Sequence, residues 1–376
     1  MMPRRVWTAL LGGALLTAPG VQGQSGSSIR TSALFERYTF GSGLSFNAVS
    51  QFTVPVGVTI DLGRVGTVAL SSGYTRVELT SADPGQLSNQ ILSGAIDTEL
   101  RWTYPLLQGR LLILATGAIP TGIKRVRNEE LAILGALSSD VIGFSAPAIG
   151  SGGNVGGGMI GAVPVGRMAL GVGVTYRQPL RYRPLQNDPS RLQPGNEVRV
   201  RAGLEGPLGR RTYFRLAGVF ARRAKDEIGG QTRNGVGNRY IGYLAINQGI
   251  GAATVTGYVF DVFRADPQIQ PSAVGAAFLP RGNLLAVGGQ GDIKLGGVSL
   301  TPRVEFRVSD QAPDTTTTSL QRLGSSARFE LGIRRRFTRH FALVVQGSGL
   351  TGQVRQAGRD VDVTGFRGEF HLEVVP

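Results

Sequence analysis

The sequence predicts an all-β chain: a transmembrane antiparallel β-barrel of sixteen strands, or fourteen if weak segments merge or fold inward. Three observations lead there. Apolar and polar residues alternate with period two through one segment after another, many of those segments outrun ordinary globular strands, and short connections alternate with long ones.

The alternation is clearest near the C-terminus. Leu323, Ala327, Phe329, Leu331 and Ile333 occupy one parity, and Arg322, Arg328, Glu330, Arg334 and Arg336 occupy the other. Successive strand residues point to opposite faces, so these sets line opposite sides of a sheet. The last segment sets Phe366, Phe370, Leu372 and Val374 against Arg367, Glu369, His371 and Glu373. Val198, Val200, Ala202 and Leu204 oppose Glu197, Arg199, Arg201 and Glu205; Leu300, Val304, Phe306 and Val308 oppose Arg303, Glu305 and Arg307. Ile96, Leu100, Trp102 and Tyr104 likewise oppose Asp97, Glu99 and Arg101. In a lipid-embedded barrel the apolar set meets hydrocarbon and the polar set meets the lumen. Closure is obligatory there, because an open edge leaves backbone donors and acceptors unpaired in lipid.

Strand length agrees, since about 9 to 11 tilted residues cross a bilayer, whereas globular strands average roughly 5 to 6. Short turns are expected near residues 63–64, 107–109, 165–166, 206–209, 248–251, 296–297 and 338–339, where Gly or Pro supplies turn geometry. Longer connections fall at 120–153, 183–195, 225–237, 265–281 and 310–321. In outer-membrane barrels short turns face the periplasm and long loops the exterior, which places both termini in the periplasm. An even strand number completes the count with the weak segment 31–40, paired beside the last strand.

The chain opens with Met1-Met2-Pro3-Arg4-Arg5, an apolar run from Val6 and small residues up to Gly23, the three regions of a secretory signal. Residues 1–23 are therefore expected to be a cleaved signal peptide and 24–376 the barrel. No later stretch approaches the roughly 20 apolar residues of a membrane helix. Glycine supplies 56 of 376 residues and cysteine none, so a secreted chain of this kind depends on backbone pairing and burial, not disulfides. The net charge of +15 becomes +13 once Arg4 and Arg5 leave. Its charges are spread at alternate positions instead of forming a tract, which argues against nucleic acid. They suit outer-membrane lipid, lipopolysaccharide phosphates, or an anion-favouring lumen.

The segment Leu114-Ala115-Thr116-Gly117-Ala118-Ile119-Pro120-Thr121-Gly122 resembles the strand-to-loop passage of outer-membrane barrels related to phenol-degradation pathways. The Gly-spaced Met168-Ala169-Leu170-Gly171-Val172-Gly173-Val174-Thr175-Tyr176 is similar to their strands. That resemblance implies a conduit for aromatic or other hydrophobic compounds. The terminal Val374-Val375-Pro376 departs from the common pattern of a final aromatic residue.

Functional expectations rest on the inward set: Arg199, Arg201, Arg303, Glu305, Arg307, Arg328, Glu330, Arg334 and Glu369. Either these arginines form positive rungs that concentrate anions, or they pair with Glu197, Glu205, Glu305, Glu330, Glu369 and Glu373 as a structural network; both roles can coexist. The longest connection carries Glu129-Glu130-Leu131-Ala132-Ile133-Leu134-Gly135-Ala136-Leu137, an expected short amphipathic helix, in a loop that either folds inward to narrow the pore or packs over the rim. Without cysteine, thiol metal sites and thiol catalysis are excluded. His371 between Glu369 and Glu373 reads as a lumen hydrogen-bond cluster before it reads as a catalytic base. No cofactor is called for. The reading is a passive channel for small solutes, anionic or aromatic and hydrophobic; the alternative is a structural, assembly or adhesion barrel with an occluded lumen.

Overall fold

Backbone pairing dominates the structure, as the alternating sequence requires. The structure is a computed structural model. It describes residues 27–374 except 84, 86–87, 124, 128–129, 138–139, 145–151, 236–237, 266–267, 270–277, 280, 314–316, 339 and 357; the expected signal segment lies outside the described residues. In chain order the strands are β1 (Ser28–Phe40), β2 (Phe46–Asp61), β3 (Thr67–Ser81), β4 (Gln90–Leu106), β5 (Leu111–Ile119), β6 (Asn154–Val165), β7 (Met168–Pro179), β8 (Leu192–Gln193), β9 (Glu197–Pro207) and β10 (Thr212–Arg223). They continue as β11 (Lys225–Ile228), β12 (Gln231–Gly235), β13 (Arg239–Ile250), β14 (Ala253–Arg264), β15 (Gln268–Ile269), β16 (Phe278–Leu279), β17 (Gly282–Leu295), β18 (Val298–Gln311), β19 (Gln321–Arg336), β20 (Phe341–Gln356) and β21 (Arg359–Val374). Among the described residues one short α-helix, α1 (Leu131–Leu137), interrupts them.

Sixteen of these strands close into one antiparallel ring, leaving β8, β11 and β12 as a small separate sheet and β15–β16 as a two-stranded ribbon. The weak first segment is indeed the closing strand: β1 pairs with β21 from Ile29↔Val374 to Phe40↔Val363. Closure removes every edge, the condition that lipid imposes. Both ends of the ring's chain lie with the short turns. β20 and β21 pair as far as Gln356↔Arg359, so the connection between them is short although it lies at the long-loop end, an exception to the length rule.

Outward residues form the expected apolar band. Phe306, Leu331 and Phe370 are 54%, 49% and 45% exposed, and Leu372 shares the parity of Phe370. Aromatic pairs mark its two margins. Trp102 stacks on Tyr104 at 5.6 Å near the short turns, and Phe220, Tyr240 and Phe263 follow one another near the long loops. Such girdles sit at membrane interfaces.

Two bulges correct the expected facing. Opposite Ser72, β4 carries an extra residue, so Ser71 pairs with Glu99 but Gly73 pairs with Ile96. Ile96 therefore faces inward with Gly73, although Leu100 is outward as expected. A second bulge at Ser309/Asp310 pairs Arg322 with Asp310, which shares the outward parity of Phe306, so Arg322 leaves the inward set. An extra residue inverts every side chain beyond it.

The wall is uneven in height. Strands β1–β4 and β17–β21 run 13 to 17 residues, whereas the ring strands from β5 to β14 run 9 to 12. The tall arc carries the buried interior. Val49, Val77, Thr53, Thr75, Gln51 and Glu36 are fully covered there.

Candidate functional site

The loop following β5 is folded into the barrel. Pro120-Thr121-Gly122 turns it across the β4 bulge. Thr121 Oγ1 accepts the Thr98 N–H at 2.9 Å, Gly122 N–H donates to Asp97 Oδ1 at 3.0 Å, and Ile123 N–H donates to the Ala95 carbonyl at 3.1 Å. The approach needs glycine, because a Cβ on Gly122 would stand 2.7 Å from the Asp97 nitrogen. Glu130 then accepts both the Arg127 backbone N–H (2.8 Å) and its guanidinium (2.8 and 3.0 Å), holding the turn that leads into α1. The helix matches the expected amphipathic segment. Ile133 and Ala136 bury against Val49, Val77, Leu79 and Leu92 on the inner faces of β2–β4. Leu185 of the next loop joins this core, and Val126 N–H donates to the Pro184 carbonyl at 2.9 Å.

Beyond the helix the same loop reaches other parts of the ring. Asp140 pairs with Arg264 of β14 at 2.5 Å. The Val141 carbonyl accepts Ser326 Oγ at 2.7 Å, and the Ile142 carbonyl accepts Arg328 Nη2 at 2.6 Å. Ile142 buries with Tyr38, Leu350 and Val363, and Phe144 meets the Tyr38 ring edge-on at 5.0 Å. Of the two expected placements of this loop, the structure shows the inward one. Backbone carbonyls in such a segment require donors once water is removed, and the wall supplies them.

The predicted charged residues divide into distinct groups. Glu305 accepts Arg303 at 2.5 Å, Arg307 at 2.7 Å and the Tyr258 hydroxyl at 2.6 Å, forming one cluster on β14 and β18. Glu330 accepts Arg367 at 2.7 Å, and Arg367 also faces the fully buried Glu36 at 3.5 Å. Arg334 and Arg30 share Glu373, while Glu369 stands 3.9 Å from His371. Arg328 is committed to the loop carbonyl, and Arg199 pairs with Glu197. A buried carboxylate without such partners is costly, so these groups hold a polar interior together. Sequence parity brought most of these residues to the inner face; it missed the part of Tyr258 and the Asp140–Arg264 pair. Tyr258 alternates with outward Val255 and Val259, a signal that was present; the Asp140 pairing joins residues far apart in sequence and left none.

Arg201 belongs to none of these clusters. It lies over Gly173, where a Cβ would come within 3.1 Å of its side chain, and its Nε is buried with no hydrogen-bond partner among the described residues. The Nε of inward Arg177 is in the same condition. Outside the membrane-spanning strands, burial raises the Asp226 carboxyl of the small external sheet, against the lowering effects of the Gly195 N–H and Arg223.

No family model matches the chain, and no curated protein matches it. Among solved structures it is similar to a bacterial polysaccharide outer membrane secretin at 9% identity and TM-score 0.49, over 93% of this chain and 98% of that one. It is similar to Pseudomonas putida OprB at 10% identity and TM-score 0.46, over 93% and 94%. OccD1 (OprD) gives 11% identity and TM-score 0.43, over 93% and 96%. The sixteen-stranded closed antiparallel ring is itself the architecture of a transmembrane barrel.

Proposed function

We propose that the protein is a passive outer-membrane channel for small solutes, its lumen narrowed by the infolded loop and biased toward anions. One observation carries this reading. Inward Arg199, Arg215 and Arg334 remain open to solvent at 39%, 35% and 37% side-chain exposure although each is paired with a carboxylate, and part-exposed Arg201 joins no ion pair among the described residues, while the facing wall is covered by the loop. Water therefore has space beside a positive surface, and such a surface raises the local anion concentration. The outward band would contact lipid, with exposed Arg37 and Arg222 near the long loops suited to lipopolysaccharide phosphates. Residues 1–23 would be the signal that sends the chain there.

The occluded-lumen alternative also has support, in the complete burial of Ile133, Val49 and Val77 where loop meets wall. Planar-bilayer recording separates the two. A channel gives current whose reversal potential under a KCl gradient reports anion preference, and the preference fades as salt screens the arginines. Folded protein that passes neither ions nor solute, even after deletion within 124–150, would establish the occluded barrel.

A further inference from the structure

The low arc of the barrel exposes a second kind of surface to the lumen. Arg199, Ala221, Arg239 and Arg264 are register partners in turn across β9, β10, β13 and β14, so they make one inward row. The adjoining row reads Arg201, Val219, Ile241, Val262 and Leu284. The next contains Tyr243 opposite Phe260. Facing is settled by neighbours: Leu216, Leu244, Val259 and Leu285 are exposed on the outer face, while Arg264 reaches Asp140 and Tyr258 reaches Glu305 inside.

An apolar patch inside a polar lumen calls for an occupant. On the tall arc the corresponding residues, Val49, Val77, Leu79 and Leu92, are covered by α1. On the low arc Val219, Ile241, Tyr243, Phe260 and Val262 remain only partly buried. Exposed apolar patches of this kind mark binding surfaces. Their border decides what binds. Successive inward residues on a strand are about 7 Å apart, so an anionic group held beside Arg199 or Arg201 places an attached hydrocarbon body over Ile241, Val262 and then Tyr243. Arg201 is only partly buried and joins no ion pair among the described residues, so its charge is left for such a group by the protein's own carboxylates.

We propose that this wall is a binding seat for amphipathic organic anions, a carboxylate on an apolar body, which the channel passes in preference to small hydrophilic anions. The proposal rests on the channel reading above and specifies its solute. The test uses the full barrel in planar bilayers carrying chloride current, with acetate, butyrate and hexanoate added as blockers. A fully buried methylene is worth roughly fourfold in affinity. Contact with one wall should therefore leave hexanoate at least about tenfold more potent than acetate. Ile241→Asn should collapse that ratio toward one, and Val219→Asn does the same service if the first variant fails the heat-modifiability check for folding. Arg201→Gln should weaken block by all three acids together. Equal block by acetate and hexanoate, or a ratio indifferent to both apolar substitutions, overturns the seat while leaving the channel intact. Absence of chloride current from folded protein overturns the channel reading, and the seat with it.

Discussion

Ile133→Ala tests whether the loop is held by its apolar contact with the wall. Ile133 is fully buried against Val77 and Leu79, so truncation removes the centre of that contact. An Ile-to-Ala change in such a site costs about 2 to 5 kcal/mol. At 1.4 kcal/mol per factor of ten, the ratio of docked to undocked loop falls roughly 30-fold to several thousand-fold. The protein contains no cysteine, which makes the assay specific. Val77→Cys places a single thiol beneath the helix, where a water-soluble maleimide reaches it only when the loop lifts. Labelling should be slow in the Val77→Cys protein and at least about 30-fold faster with Ile133→Ala added, with larger current fluctuations in bilayers. Equal labelling rates in the two backgrounds would refute docking by this contact.

The other predictions concern the wall and the outer sheet. Leu331→Arg on the lipid face should cost about 2 to 4 kcal/mol of stability in vesicle refolding if the residue lies near mid-bilayer; a loss near zero contradicts the facing assigned to β19. Arg367→Met removes the cation that pairs with buried Glu330 and should cost about 3 to 5 kcal/mol in the same assay, whereas Arg355→Ala, in an exposed pair with Asp360, should leave stability unchanged. Replacing Arg303 and Arg307 together by Gln removes two positive charges and leaves Glu305 uncompensated, so it should shift reversal potential toward cations more than Arg201→Gln, which removes one; an equal or smaller shift contradicts the lumenal placement of this cluster. The Asp226 carboxyl has a folded pKa above its ordinary value, so the folded external sheet binds the proton more tightly. Stability of that sheet therefore rises as pH falls from neutral through the raised value and is lost in the other direction. Proteolysis within 224–238, measured relative to Asp226→Asn, should slow as pH falls from neutral toward the ordinary carboxylate range; a ratio that is flat or moves oppositely rejects this assignment.

What was legible in the sequence was what lipid enforces. Phe329, Leu331 and Ile333 must each be apolar because each meets hydrocarbon, so period two survives and declares the facing of Arg328, Glu330 and Arg334. The closing role of 31–40 followed from the need for an even ring. Ile96 and Arg322 escaped because single extra residues shift parity without any change in local composition. The inward loop was readable as an amphipathic helix, but its side was not. That depends on donors such as Ser326 and Arg328, whose partners Val141 and Ile142 lie far away in the chain. Ion pairing followed the same division: parity placed Glu305 between Arg303 and Arg307, while only folding brings Glu36 to Arg367.

Ring closure and loop insertion are tied together at the seam. Tyr38 belongs to the first strand, Val363 to the last and Leu350 to the one before it, and all three gather around Ile142. The junction at which the two ends of the chain meet is thus fastened from within by a segment that lies in the first half of the sequence. Until the terminal strands come together that segment lacks half its dock, and until it is seated the seam lacks its inner clasp. Assembly of the wall and seating of the loop are thereby coupled, so a half-zipped barrel has no seated loop.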